Sequence, residues 1–110
     1  MLISDGALCS AIGEMRKGLV DADLGAGLVK KRISRQGLGK RSGYRTLVAT
    51  NKRDKWFFIY GFAKSDSENI SSKEEEALKK LAMHLLKLSF AAIDHSIQER
   101  EIKEVKCYEK

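Results

Sequence analysis

Residues 55–61 read Lys-Trp-Phe-Phe-Ile-Tyr-Gly, and no other run limits the fold of this chain as much. Its aromatic and β-branched residues suit a strand, and side chains alternate across a strand, so this one is apolar on both faces. A strand of that kind needs cover on both sides and is expected at the centre of a sheet. The four polar residues before it, Asn51-Lys52-Arg53-Asp54, predict a hairpin onto residues 44–50, which carry Thr46, Val48 and Thr50. Residues 28–33 are short, bounded by turn residues, and predict another strand with Lys30 and Arg32 on one face. Residues 21–27 read as loop, and residues 36–43 as a flexible basic turn.

Helices are expected on either side of these strands. Ser4 or Asp5 can cap a helix running to about Lys17, in which Leu8, Ile12 and Met15 recur at spacings of four and three before Gly18. Ile70-Ser71-Ser72-Lys73-Glu74-Glu75 is a strong helix start, with Ser71 and Glu74, or Ser72 and Glu75, as a capping box. Ala77, Leu78, Leu81, Ala82, Leu85 and Leu88 then form an apolar stripe that should lie across the sheet. Residues 90–98 predict a further short helix, and residues 101–108 either an edge strand or a docked tail. The order of helix, three antiparallel strands and helix predicts an α+β fold, a small meander sheet with helices packed on it. The chain reads as one domain of residues 1–110, with its core at about 4–88 and a C-terminal extension at 89–110.

At 110 residues, 43% of them apolar, the chain suffices for one hydrophobic core and no more. Cys9 and Cys107 lie near opposite ends, without a paired-cysteine motif or a histidine at ligand spacing, so neither a zinc site nor a disulfide framework is expected. They read as small apolar or exposed thiols, and His84 and His95 as structural or solvent-facing. No apolar run approaches the roughly 20 residues that span a bilayer, so the expected location is the cytoplasm. Gly37-Leu38-Gly39 lacks the spacing and the following helix of a dinucleotide fingerprint, and no cofactor or metal is expected.

The charge is concentrated. Residues 29–55 hold ten Lys and Arg against one Asp, whereas the segments on either side are slightly acidic, and the whole chain carries +6. A localised cationic surface between balanced flanks suits a phosphate-rich partner, because each neutralised phosphate releases counterions. Nucleic acid is therefore the first partner to expect.

The run Lys30-Lys31-Arg32-Ile33, the later Ser42-Gly43-Tyr44-Arg45-Thr46-Leu47-Val48, the segment Phe57-Phe58-Ile59-Tyr60-Gly61-Phe62-Ala63-Lys64 and the Glu-rich helix start together resemble the RelE/ParE superfamily of bacterial type II toxins. The HigB-like branch is the nearest, and the likeness spans roughly residues 18–88. The resemblance implies a small endoribonuclease that cuts mRNA in the ribosome, and a cognate antitoxin, often a helix-turn-helix protein, that holds it inactive. It also implies catalytic roles for Lys30, Arg32, Arg45 and Lys64. Relatives place a strand before the first helix, so here either the chain starts at an internal methionine or the sheet edge is completed by the C-terminal tail or by a partner. Some members use a tyrosine near the start of the last helix as the base, where this chain has Ile70.

Those residue types suit the chemistry. Metal-free RNA cleavage is an in-line attack of a 2′-hydroxyl on phosphorus, which needs a base, an acid and stabilisation of a phosphorane-like dianion. Arg45 is the expected bidentate clamp on the scissile phosphate, with Lys30 and Arg32 converging on the same group. Crowding by like charge favours a lysine's neutral form, which makes Lys30 or Lys64 the candidate acid or base. Lys31, Arg35, Lys40 and Arg41 are expected to position phosphates, and Tyr44 or Tyr60 to stack on a base. Two other classes remain at this level: a non-catalytic toxin that binds a protein such as DNA gyrase, and a module that binds RNA without cutting it.

Overall fold

The computed structural model of the chain describes residues 3–35, 39–63 and 70–107, and of residues 34–35 and 39–42 the backbone alone. The order of elements is α1 (Asp5–Arg16), β1 (Ala22–Gly25), β2 (Leu28–Arg35), β3 (Gly39–Thr50), β4 (Trp56–Ala63), α2 (Ser72–Leu86) and α3 (Phe90–Gln98). The strands form one antiparallel meander in chain order. The α+β architecture is thus the expected one, with one strand more than the sequence suggested.

That strand is β1. Only Leu24 is strongly apolar in it, so residues 21–27 carry no strand signal of their own. What creates it is the reversal that follows: Ala26 and Gly27 both have positive φ, +56° and +80°, the backbone of a two-residue hairpin whose twist matches the flanking strands. Gly25 then pairs with Leu28 and Ala22 with Lys30. This short strand forms one edge of the sheet. The tail does something else: residues 101–107 form no strand, and Cys107 is disulfide-bonded to Cys9 of α1. The two cysteines are 98 residues apart in sequence, and spacing of that length says nothing about proximity in space. The expectation of two separate thiols is corrected.

Strand β4 is also corrected. It lies at the other sheet edge, beside β3, and is apolar on both faces because a helix covers each face. Trp56 and Phe58 join the cluster of Ala11, Met15, Val29, Ile33 and Val48 under α1, whereas Phe57 and Ile59 join Leu28, Leu47, Ala49 and Ala82 under α2. Cover on two sides and a central place in the sheet are different things. Strand β3 begins at Gly39, so residues 39–43 are strand and not turn; residues 36–38 lie outside the described part.

The helix signals are met. Ser4 caps α1, its hydroxyl accepting from the Ala7 N–H at 3.1 Å, and Gly18 follows the helix at φ +88°. Ser71 and Glu74 form the capping box of α2. Ser89 caps α3. Helix α2 is rotated from the predicted stripe, burying Ala82 and Leu85 with Leu78 and Leu86 packed beside them, while Leu81 stays 40% exposed. Between β3 and β4 the Asn51 side chain accepts from the backbone N–H groups of Arg53, Asp54 and Lys55, which lets Lys52 sit at φ +64°.

Gly27 is the residue this arrangement can least spare. A Cβ there would meet Leu86 Cδ1 at 2.5 Å, on a backbone already left-handed. We expect Gly27→Ala to lower unfolding free energy by roughly 1–2 kcal/mol, whereas Ala26→Gly at the neighbouring left-handed position should not lower it. Denaturant unfolding of both variants measures the difference.

Candidate nucleic-acid interface

Antiparallel pairing places directly opposed residues on the same face, and the register sorts the basic residues into two groups. On the α2 side of the sheet, Lys30, Leu47 and Tyr60 form one row across β2, β3 and β4; Arg32, Arg45 and Phe62 form the next. The sequence-predicted residues Lys30, Arg32, Arg45 and Tyr60 are thereby brought together. Tyr60 arrives there through an irregularity. Val48 opposes Phe58 and Leu47 opposes Tyr60, so Ile59 is an extra residue, a bulge that shifts the alternation of the strand's second half. Without it Tyr60 would point to the α1 side with Phe58.

Arg45 stands in the middle of its row, directly opposite Arg32. It is 8% exposed, and its Nη1 is buried without a hydrogen-bond partner among the described residues. Like charges directly opposed destabilise a sheet, and a buried charged donor without an acceptor costs about 1–3 kcal/mol or more. Arg32 has partial compensation: Asp21 accepts from its backbone N–H at 2.6 Å and lies 3.6 Å from its Nε. Among the described residues, then, Arg45 Nη1 is a cationic donor left without an acceptor.

At the β4 side, the Tyr60 hydroxyl donates to Glu74 Oε2 at 3.2 Å. Glu74 Oε1 accepts from the Ser71 N–H at 3.1 Å, while the Glu74 N–H donates to Ser71 Oγ. The Ser71 backbone, its hydroxyl and then Tyr60 hold the Glu74 carboxyl below its usual value, and the carboxylate in turn raises the Tyr60 phenol above its usual value. At neutral pH the pair is a phenol and a carboxylate. The stabilisation from ionised Glu74 is present above the ordinary glutamate value of 4.5 and is lost as pH falls through the lowered one. The Phe62 ring lies 6.0 Å from that of Tyr60.

Other predicted residues are elsewhere. Lys31 points to the α1 side, is 3% exposed, and binds Glu14 Oε1 at 2.7 Å and the Leu19 carbonyl at 2.9 Å. It ties α1 to the sheet and does not reach the Arg45 face. Tyr44 opposes Ile33 and so shares the α1 side. Lys64 and the side chains of Arg35, Lys40 and Arg41 lie outside the described residues. Sequence reasoning missed Asp21, Phe62 and Glu74 as parts of the site. Glu74 was visible as a capping residue, and Phe62 as the residue two beyond Tyr60; Asp21 sat in the presumed loop. Among the described residues no group of three His, Cys, Asp or Glu gathers as a metal site, and no helix is long and apolar enough to cross a membrane.

A family model described as the RelE toxin of the RelE / RelB toxin-antitoxin system matches residues 1–105. No curated protein and no solved structure matches the chain.

Because Lys31 serves α1, Glu14→Ala should destabilise the fold by about 1–3 kcal/mol by leaving the buried ammonium short of a partner. Lys31→Met should leave RNA affinity unchanged. Denaturant unfolding and a salt-dependent RNA titration check the two halves.

Proposed function

The chain belongs to the RelE family of toxins from toxin-antitoxin systems, and on that footing we propose that it is an endoribonuclease of the HigB-like kind that cleaves mRNA on the ribosome. The observation that carries this reading is Arg45, whose buried guanidinium nitrogen has no acceptor within the described chain. Its planar fork matches two oxygens of a phosphodiester. A protein-binding toxin has no use for a phosphate clamp and an RNA module would use it for binding alone, whereas a catalyst of phosphoryl transfer gains in addition a fixed positive group where negative charge develops.

In this reading the 2′-hydroxyl attacks the adjacent phosphorus in line and leaves a 2′,3′-cyclic phosphate. Arg45 clamps the non-bridging oxygens, and Arg32, steadied by Asp21, adds a second positive group. Lys30 lies diagonally across from Arg45 and donates a proton to the leaving 5′-oxygen. Lys64 remains a candidate for the same work. Tyr60, 40% exposed, stacks on a base flanking the cut, as aromatic residues do on single-stranded RNA. The chemistry uses side chains alone, with no cofactor or metal.

Family membership implies a cognate antitoxin. We assign it an acidic segment that covers the Arg45 face and a helix-turn-helix DNA-binding part. A target in translation places the toxin in the cytoplasm.

Arg45→Met tests the reading through an opposition between activity and stability. Removing a buried charge that has no acceptor for its Nη1 among the described residues should leave unfolding free energy unchanged or higher, while the rate of RNA cleavage falls about 100-fold or more. A variant that is less stable yet cleaves normally would contradict the assignment.

A further inference from the structure

The ribonuclease reading leaves the proton on the attacking 2′-hydroxyl without an acceptor. The Tyr60–Glu74 contact supplies one. Resting on that reading, we infer that Tyr60 is the group that takes the 2′-hydroxyl proton and that Glu74, behind it, is the final acceptor.

Position is the first argument. In-line displacement requires the base and the acid on opposite sides of phosphorus. Arg45 occupies the central strand of the face, Tyr60 the neighbouring β4 and Lys30 the neighbouring β2, both in the adjacent row. Strands are about 4.8 Å apart and diagonal neighbours about 7–8 Å, so Tyr60 and Lys30 both lie diagonal to Arg45, one strand to either side of it, and flank a phosphate that Arg45 holds toward their row. Among the described residues the buried Nη1 of Arg45 has no acceptor, which, independently of Tyr60, fits a face that takes an anion.

Orientation is the second. Glu74 is not a free surface carboxylate, because its second oxygen and its own N–H are fixed by Ser71 in the capping box. Helix α2 thus aims one oxygen at the Tyr60 hydroxyl. The bulge at Ile59 turns that hydroxyl to the Arg45 face. A bulge and a cap are both needed to make the contact, and neither is required for Tyr60 merely to stack on a base.

The step balances as follows. The 2′-oxygen forms its bond to phosphorus as its proton passes to the Tyr60 oxygen, and the Tyr60 proton passes to Glu74 Oε2. The bond from phosphorus to the 5′-oxygen breaks, and that oxygen leaves with a proton from the Lys30 ammonium. Glu74 then releases its proton to water and Lys30 regains one. Tyr60 never has to exist as a free phenolate, which the neighbouring carboxylate disfavours. Tyr60 is therefore a catalytic residue and Glu74 a positioning residue that also accepts the relayed proton.

The test is single-turnover RNA cleavage by the wild type, Glu74→Gln, Tyr60→Phe, the double variant and Arg45→Ala. Glutamine serves the capping box as well as glutamate, so Glu74→Gln keeps α2 while removing the proton acceptor and the small stabilisation from the ionised carboxylate; an unchanged helical circular-dichroism signal at the assay temperature verifies this. Glu74→Gln and Tyr60→Phe should each slow the maximal rate about 100-fold with little change in the RNA concentration at half saturation. The double variant should be no slower than Tyr60→Phe, because the two act in one relay. Cleavage by Glu74→Gln at the wild-type rate, with Arg45→Ala inactive, would overturn the relay and leave the ribonuclease reading standing. Multiplying losses in the double variant would also overturn it. RNA left whole by the wild type would overturn both.

Discussion

Pairing between β2 and β3 is the constraint on which everything else depends. Opposing Arg32 to Arg45 and Lys30 to Leu47 sends two bases of β2 to the α2 side, while Val29, Lys31 and Ile33 go under α1. A slip of one residue would exchange the two sets: Lys30 and Arg32 would enter the core under α1, and Val29 and Ile33 would be exposed. The apolar alternation that stabilises the sheet is therefore what assembles the cationic face, and any selection for one maintains the other. The tight Ala26–Gly27 reversal at one end of β2 and the Thr50 N–H bonded to the Gly27 carbonyl at 2.8 Å pin that register.

The α2 helix links stability to function in a similar way. At its start, Glu74 satisfies a backbone donor of the cap and reaches Tyr60. At its end, the Lys55 ammonium donates to the carbonyls of Leu86 and Leu88 and lies 5.3 Å from the Phe90 ring centre, a cation at the negative end of the helix. Held at both ends by β4 and its flanks, the helix has little freedom to move Glu74 away from the sheet. Arg45 is the opposite case: a buried guanidinium whose Nη1 has no acceptor among the described residues lowers stability, and natural proteins retain such groups where function uses them.

Local chemistry made much of this legible from the sequence. The caps, the Asn51 turn and the β-branched residues of β3 act through near neighbours and were legible, with Ser4 or Asp5 and Ser71 or Ser72 left as alternatives of which the structure uses Ser4 and Ser71. Strand β1 was missed because its conformation comes from its partner and a hairpin with an alanine at positive φ, which no composition rule favours. The aromatic run in β4 reported cover on two faces, and that was mistaken for a central position. The Cys9–Cys107 bond joins residues whose proximity exists only in the fold. Within the site, a period of two already separated Lys30 and Arg32 from Lys31, so the burial of Lys31 was readable in principle. The bulge at Ile59 was not, and with it went the link between Tyr60 and Glu74.

The central claim is that an anion-demanding face built around Arg45 cuts RNA, and the most direct measurement reads the cut itself. The protein is induced in a bacterial host and the new 3′ ends of its mRNA are mapped and chemically typed. The account predicts growth arrest with fragments that end in 2′,3′-cyclic phosphate inside coding regions, and none when Arg45 is replaced by alanine. Growth arrest with transcripts left whole would contradict it and move the target from RNA to a protein.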